Sequence, residues 1–158
     1  MKRYLKVVVV VLGVLAAAMS STPANASSCS LAALAGKWTY TYTGTIFTAN
    51  GPLPLASVGR FHQDAAGNLQ GSQTRSVAGS SGVEDISATI TMNTDDCSGT
   101  GNFNVLVGGQ LQRTAVLALA YDQDGNHVRA IFESLTLPDG TNVPVVITVD
   151  GNRVNTKN

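Results

Sequence analysis

Lysine is nearly missing from the body of this chain, and with it goes any basic surface. Beyond residue 26 only Lys37 and Lys157 occur, while Lys2, Arg3 and Lys6 crowd the start. Residues 27–158 carry 7 basic against 10 acidic side chains, a formal charge of −3. Nucleic acid and anionic membrane surfaces are bound through clustered Lys and Arg, so both are excluded as partners. Histidine and cysteine are equally scarce, at two each, with no C-x-x-C and no H-x-x-x-H spacing. That leaves a metal site without ligands and gives no reason to expect any cofactor. No Gly-x-Ser-x-Gly is present either. His62 and His127 each lie beside a turn, but nothing in the sequence makes a serine and a carboxylate converge on them. The acidic loop "DQDGN" (122–126) has spaced oxygens at Asp122 and Asp124, yet Asp-Gly between two alternating segments is first a hairpin turn.

Long apolar runs are also lacking. The longest, "VVVVVLGVLAAAM" (7–19), has 13 residues, short of the roughly 20 that span a bilayer. It follows the basic "MKRYLK" and precedes the small-x-small "ANA" (24–26). That order is a secretory signal peptide over residues 1–26, with a transmembrane helix or a lipid-modified Cys29 as lesser alternatives. Residues 27–158 then form one exported domain, secreted or periplasmic. In an oxidising compartment Cys29 and Cys97 read first as a disulfide, and otherwise as two buried thiols.

What is present is alternation. "GKWTYTYTGTIF" (36–47) puts Trp38, Tyr40, Tyr42 and Ile46 on one face and a row of threonines on the other. Similar segments follow at 55–63, 69–77, 84–92, 99–107, 111–121, 127–137 and 143–150, joined by short links rich in Gly, Pro, Asn and Asp. None of these links has room for a crossover helix, so the pairing is antiparallel. The expected fold class is all-β: an eight-stranded antiparallel up-and-down β-barrel with a short N-terminal helix, capped by Ser30 and ended near Gly36. A two-sheet sandwich is the alternative, but it usually needs longer links. In a meander Cys29 and the Cys97 turn fall at the same pole, which suits a bridge between them.

Facing Trp38 inward and choosing the more apolar face elsewhere gives an interior that is not purely apolar. Gln73 and Arg75 come inward on the third strand. Leu111, Arg113, Ala115, Leu117 and Leu119 do so on the sixth, and His127, Arg129, Ile131, Glu133 and Leu135 on the seventh. Glu84 stands at the edge. Counting across the sixth hairpin puts Arg113 diagonal to Glu133, within ion-pair reach. Tyr40, Tyr42, Gln73, Arg75, Arg113 and Glu133 are therefore the candidate ligand-binding residues, with Arg75 and Arg113 as anchors and Glu133 holding Arg113. The alternative is a neutralised, solvated rim.

The lead-in "CSLAALAGKWT" carries a resemblance. Gly-x-Trp opening the first strand after a short helix is similar to the lipocalins. Cys-Ser-Leu before Gly-Lys-Trp-Thr, and "GNLQGSQTRSV" (67–77), look like the avidins. The chain also resembles small secreted bacterial proteins of unassigned function in "GRFHQDAAGNLQGSQT", "DCSGTG" and "GNHVRAIF". A calycin-like barrel with a small ligand in its mouth is what this resemblance implies. By the same resemblance Trp38 is a structural floor residue and Arg153 the late-strand arginine that packs near it. The avidins' ligand-contacting Asn after Trp-Thr is replaced here by Tyr40, so biotin is not implied. The expected function is binding of a small molecule of unknown identity. A cyclase or isomerase enclosing a reactive molecule, and a non-enzymatic structural or interaction module, are the alternatives.

Overall fold

A computed structural model describes residues 28–154. The segment read as a signal peptide, and Lys157, lie outside the described residues. Ser30 starts a single turn of helix, α1 (Leu31–Leu34), its hydroxyl accepting from the Ala33 amide at 3.2 Å. Eight strands follow: β1 (Gly36–Thr48), β2 (Gly51–Gln63), β3 (Asn68–Val77), β4 (Ser80–Asn93), β5 (Ser98–Val107), β6 (Gln110–Tyr121), β7 (His127–Thr136) and β8 (Val145–Arg153). Each pairs antiparallel with the next, and β8 returns to β1, so the sheet is a closed up-and-down barrel. No helix among the described residues is long and apolar enough to cross a membrane.

Several strands run longer than the alternation implies, because the upper turns are tight. The β3–β4 turn consists of Ala78 and Gly79, both at positive φ (48° and 89°), and the β5–β6 turn of Gly108 and Gly109 (56° and 78°). Two central residues at positive φ match the twist of the strands they join. Pro52 and Pro54 belong to β2, yet the β2–β3 ladder begins only at Leu55↔Val77. The prolines therefore sit where β2 has one neighbour, which spares a second ladder.

The seventh strand corrects the sequence reading. The β6–β7 register shifts between Val116 and Leu117: Val116 faces Ser134, but Leu117 faces Phe132. Glu133 is the extra residue of a β-bulge, exposed on the outer wall. Below it the inward face is Val128, Ala130 and Phe132, while Arg129 and Ile131 lie outside and His127 only half-buried. Leu111, also expected inside, is exposed at the top, above a second register shift at Val105/Leu106.

The lower end is closed. Cys29 and Cys97 form a disulfide with 5.3 Å between Cα atoms, tying the lead-in to the β4–β5 turn. Leu34 is fully buried and packs with Trp38, Ile90, Leu117, Leu119 and Val128. Trp38 Nε1–H donates to the Leu34 carbonyl at 3.1 Å. Arg153, the β8 register partner of Trp38, donates to the Ala33 and Ala35 carbonyls at 2.8 and 2.5 Å. It thereby meets backbone acceptors that the short helix leaves over. Gln63, on the inner face of β2 at this end, is fully buried, with neither amide atom hydrogen-bonded among the described residues.

Candidate functional site

An aromatic column rises from this floor. Tyr121 meets Trp38 edge-on at 5.8 Å, Trp38 stacks on Phe61 at 6.1 Å, and Phe61 tilts against Tyr40 at 5.8 Å. Tyr40 stacks with Tyr42 at 6.4 Å, and Tyr42 meets Phe132 edge-on at 5.8 Å. Gly59 makes room for it: a Cβ there would lie 2.5 Å from the Tyr40 ring and hydroxyl. Burial pushes the Tyr121 phenol up to about 12 and raises Tyr40 and Tyr42 as well, so all three are neutral at ordinary pH.

Above the column lies a polar network on an otherwise apolar wall. Its centre is Glu84, on the inward face of β4 with Ile86 and Ala88. Arg113 grips the carboxylate bidentately, Nη1 to Oε1 at 2.9 Å and Nη2 to Oε2 at 2.5 Å. Arg75 Nε donates to Oε1 at 3.0 Å, and Gln73 Nε2 donates to Oε2 at 2.7 Å. Gln73 also donates to the Tyr42 oxygen at 3.2 Å, and its own Oε1 accepts from the Tyr40 hydroxyl at 2.7 Å. Gln73 and Glu84 are register partners, so strand pairing alone sets them side by side. Burial by itself would raise the Glu84 carboxyl. The hydrogen bonds from Arg113 and Gln73 and the charges of Arg113 and Arg75 outweigh it and hold it below the usual carboxylate range.

The network therefore gathers Tyr40, Tyr42, Gln73, Arg75 and Arg113, and it leaves Glu133 outside. Arg113 pairs with Glu84, not Glu133, since the bulge turns Glu133 to the outer wall. Glu84 was legible as an inward residue from its parity with Ile86, Ala88 and Ile90, but Arg113 lies two strands away, beyond hairpin counting. Phe132 also escapes the parity chosen for the seventh strand. The apolar spacing Val128, Ala130, Phe132, then Leu135, contains its signal, because the jump of three marks an inserted residue.

The network and the column border a cavity of about 70 Å³ that reaches Tyr42, Gln73, Arg75 and Arg113 and is otherwise lined mainly by Leu, Ile, Val and Phe side chains. At roughly 10–15 Å³ for each water, such a space suits a small molecule or one end of a larger one. At the top, Phe47, Val107, Leu111 and Leu137 are exposed apolar side chains on the turns and strand ends. The two histidines stand apart. His62 is exposed, and His127 Nε2 lies 2.9 Å from Asp150 Oδ2 across the β7–β8 pair. The Asp122 carboxylate accepts the Asn126 and His127 amides within its own turn. Among the described residues no group of three or more His, Cys, Asp or Glu is placed to hold a metal ion.

No family model matches the chain, and no curated protein matches it. Among solved structures it is similar to an S-type phycobiliprotein lyase from Guillardia theta, at 11% identity and a TM-score of 0.44, over 78% of this chain and 89% of that one.

Proposed function

We propose that this is an exported barrel that binds a small molecule in its upper cavity. Tyr42, Gln73, Arg75 and Arg113 face the ligand, Tyr40 stands behind Gln73, and Glu84 holds Arg113 in place. One observation carries the reading: a network of a buried guanidinium, a partly exposed one, a carboxylate, an amide and two phenols borders open space in a largely apolar barrel. Charged groups are seldom placed inside a barrel without a partner or a use. A few convergent polar groups in a largely apolar pocket are the ordinary make-up of a ligand site.

Catalysis by a cyclase or isomerase would want a group poised to move a proton near neutral pH. Glu84 is instead held ionised by four hydrogen bonds, and the tyrosines are held protonated, which favours binding. A barrel serving only as an interaction module has no use for a cavity that reaches Arg75 and Arg113. The disulfide suits the export expected from residues 1–26.

Native mass spectrometry of the exported protein tests the reading. The expected mass begins at Ser27 and carries a co-purifying small molecule, which Arg113→Met loses while the disulfide and the strand signal in circular dichroism remain. Retention of the same molecule by Arg113→Met would remove the assigned site.

A further inference from the structure

The charges inside the cavity do not balance. Arg75 and Arg113 bring two positive charges and Glu84 one negative, and no other acidic side chain among the described residues joins the network. Arg113 spends both terminal nitrogens on Glu84. Arg75 spends only Nε, and among the described residues its two terminal nitrogens have no hydrogen-bond partner. Those nitrogens belong to a side chain that is 25% exposed and lines the cavity. A guanidinium offers a planar pair of N–H groups that matches a carboxylate, and Arg75 leaves that edge vacant next to an apolar wall.

We propose that the ligand is a small organic monoanion, a carboxylate on an apolar body, with its carboxylate on the terminal nitrogens of Arg75 and its body against Phe132 and the aliphatic wall. This rests on the ligand-binding reading above and adds the ligand's class. The excess is a single positive charge, so one anionic group completes the balance and a second would be buried unpaired. Glu84 holds Arg75 through Nε and occupies both terminal nitrogens of Arg113, which leaves Arg75 as the carboxylate's partner.

Titration calorimetry with two acid–amide pairs, benzoate with benzamide and hexanoate with hexanamide, tests this at neutral pH. In each pair the partners share shape and differ in charge. At least one acid is expected to bind about tenfold or more tighter than its amide, as a charge-assisted hydrogen-bonded pair implies. Arg75→Met, which keeps the apolar stem, is expected to abolish that preference by bringing the acid's affinity down to that of its amide. Equal binding of acid and amide, or a preference that survives Arg75→Met, overturns the monoanion inference while leaving the binding reading in place. If none of the four binds the native protein, the monoanion inference fails, while the binding reading is decided by the co-purifying molecule.

Discussion

At the lower end of the barrel, two large polar side chains bind the backbone, although the buried Gln63 amide is unpaired among the described residues. Trp38 and Arg153 bind the carbonyls of Leu34, Ala33 and Ala35, and a disulfide fastens the lead-in beside them. At the upper end, polar side chains are spent on one another, around Glu84, and open space remains. Backbone carbonyls are fixed, neutral acceptors, so the floor can be packed tight. A charged cluster must carry its own compensation, and here it carries one positive charge too many. One pole is thus closed, and the other keeps open space beside its charges.

Opening the floor should cost most. Replacing Cys29 and Cys97 by serine releases a link spanning 68 residues, worth about 4 kcal/mol on chain-entropy grounds. Urea unfolding measures it, and a loss below about 1 kcal/mol would mean that the floor stands without its bridge. Next comes Glu84→Gln at the other pole. It leaves two guanidiniums without a counter-charge and should cost about 3 kcal/mol. If Glu84→Gln proves neutral, the network is not what orders the upper wall.

Extremes of pH probe buried groups of opposite sign. The folded value of Tyr121, about 12, lies above its ordinary 10.0. Its stabilisation is whole below the ordinary value and is lost as pH rises through the folded one. Tyr40, raised too, shares this alkaline limb. Glu84 has the opposite sign. Its lowered value gives stability that is present above the ordinary 4.5 and lost as pH falls toward the folded value. The acid limb should therefore flatten in Glu84→Gln and the alkaline limb in Tyr121→Phe. The surface carboxylates Asp64, Asp96 and Asp139 are also lowered, and they leave a residual acid limb in both variants. Identical acid limbs in Glu84→Gln and the native protein would count against a stabilised Glu84 carboxylate.

The smallest effects sharpen the picture of the site. Arg75→Met, at a partly exposed side chain with one bond to Glu84, should change stability by less than about 1 kcal/mol. Glu133→Gln, on the outer wall, should stay within about 0.5 kcal/mol. A clear destabilisation by Glu133→Gln would restore it as a partner of Arg113.

Local chemistry alone determined a good deal. Alternation and turn residues specify eight antiparallel staves, because side chains on a strand change face at every step and Gly, Asn and Asp allow the backbone to reverse. Short links exclude crossovers, and meander parity brings Cys29 and Cys97 to one pole. Tyr40, Tyr42, Gln73, Arg75 and Arg113 could be set inside from parity within their own strands. Two matters were left to closure of the barrel. A period-2 reading carries its phase forward without correction, so the one residue inserted at Glu133 reversed the faces of β7 below it. The partner of Arg113 depended on curvature, since a closed sheet brings β4 and β6 together across its interior although β5 separates them along the ladder. Parity is a property of one strand, whereas a contact across the lumen belongs to all eight.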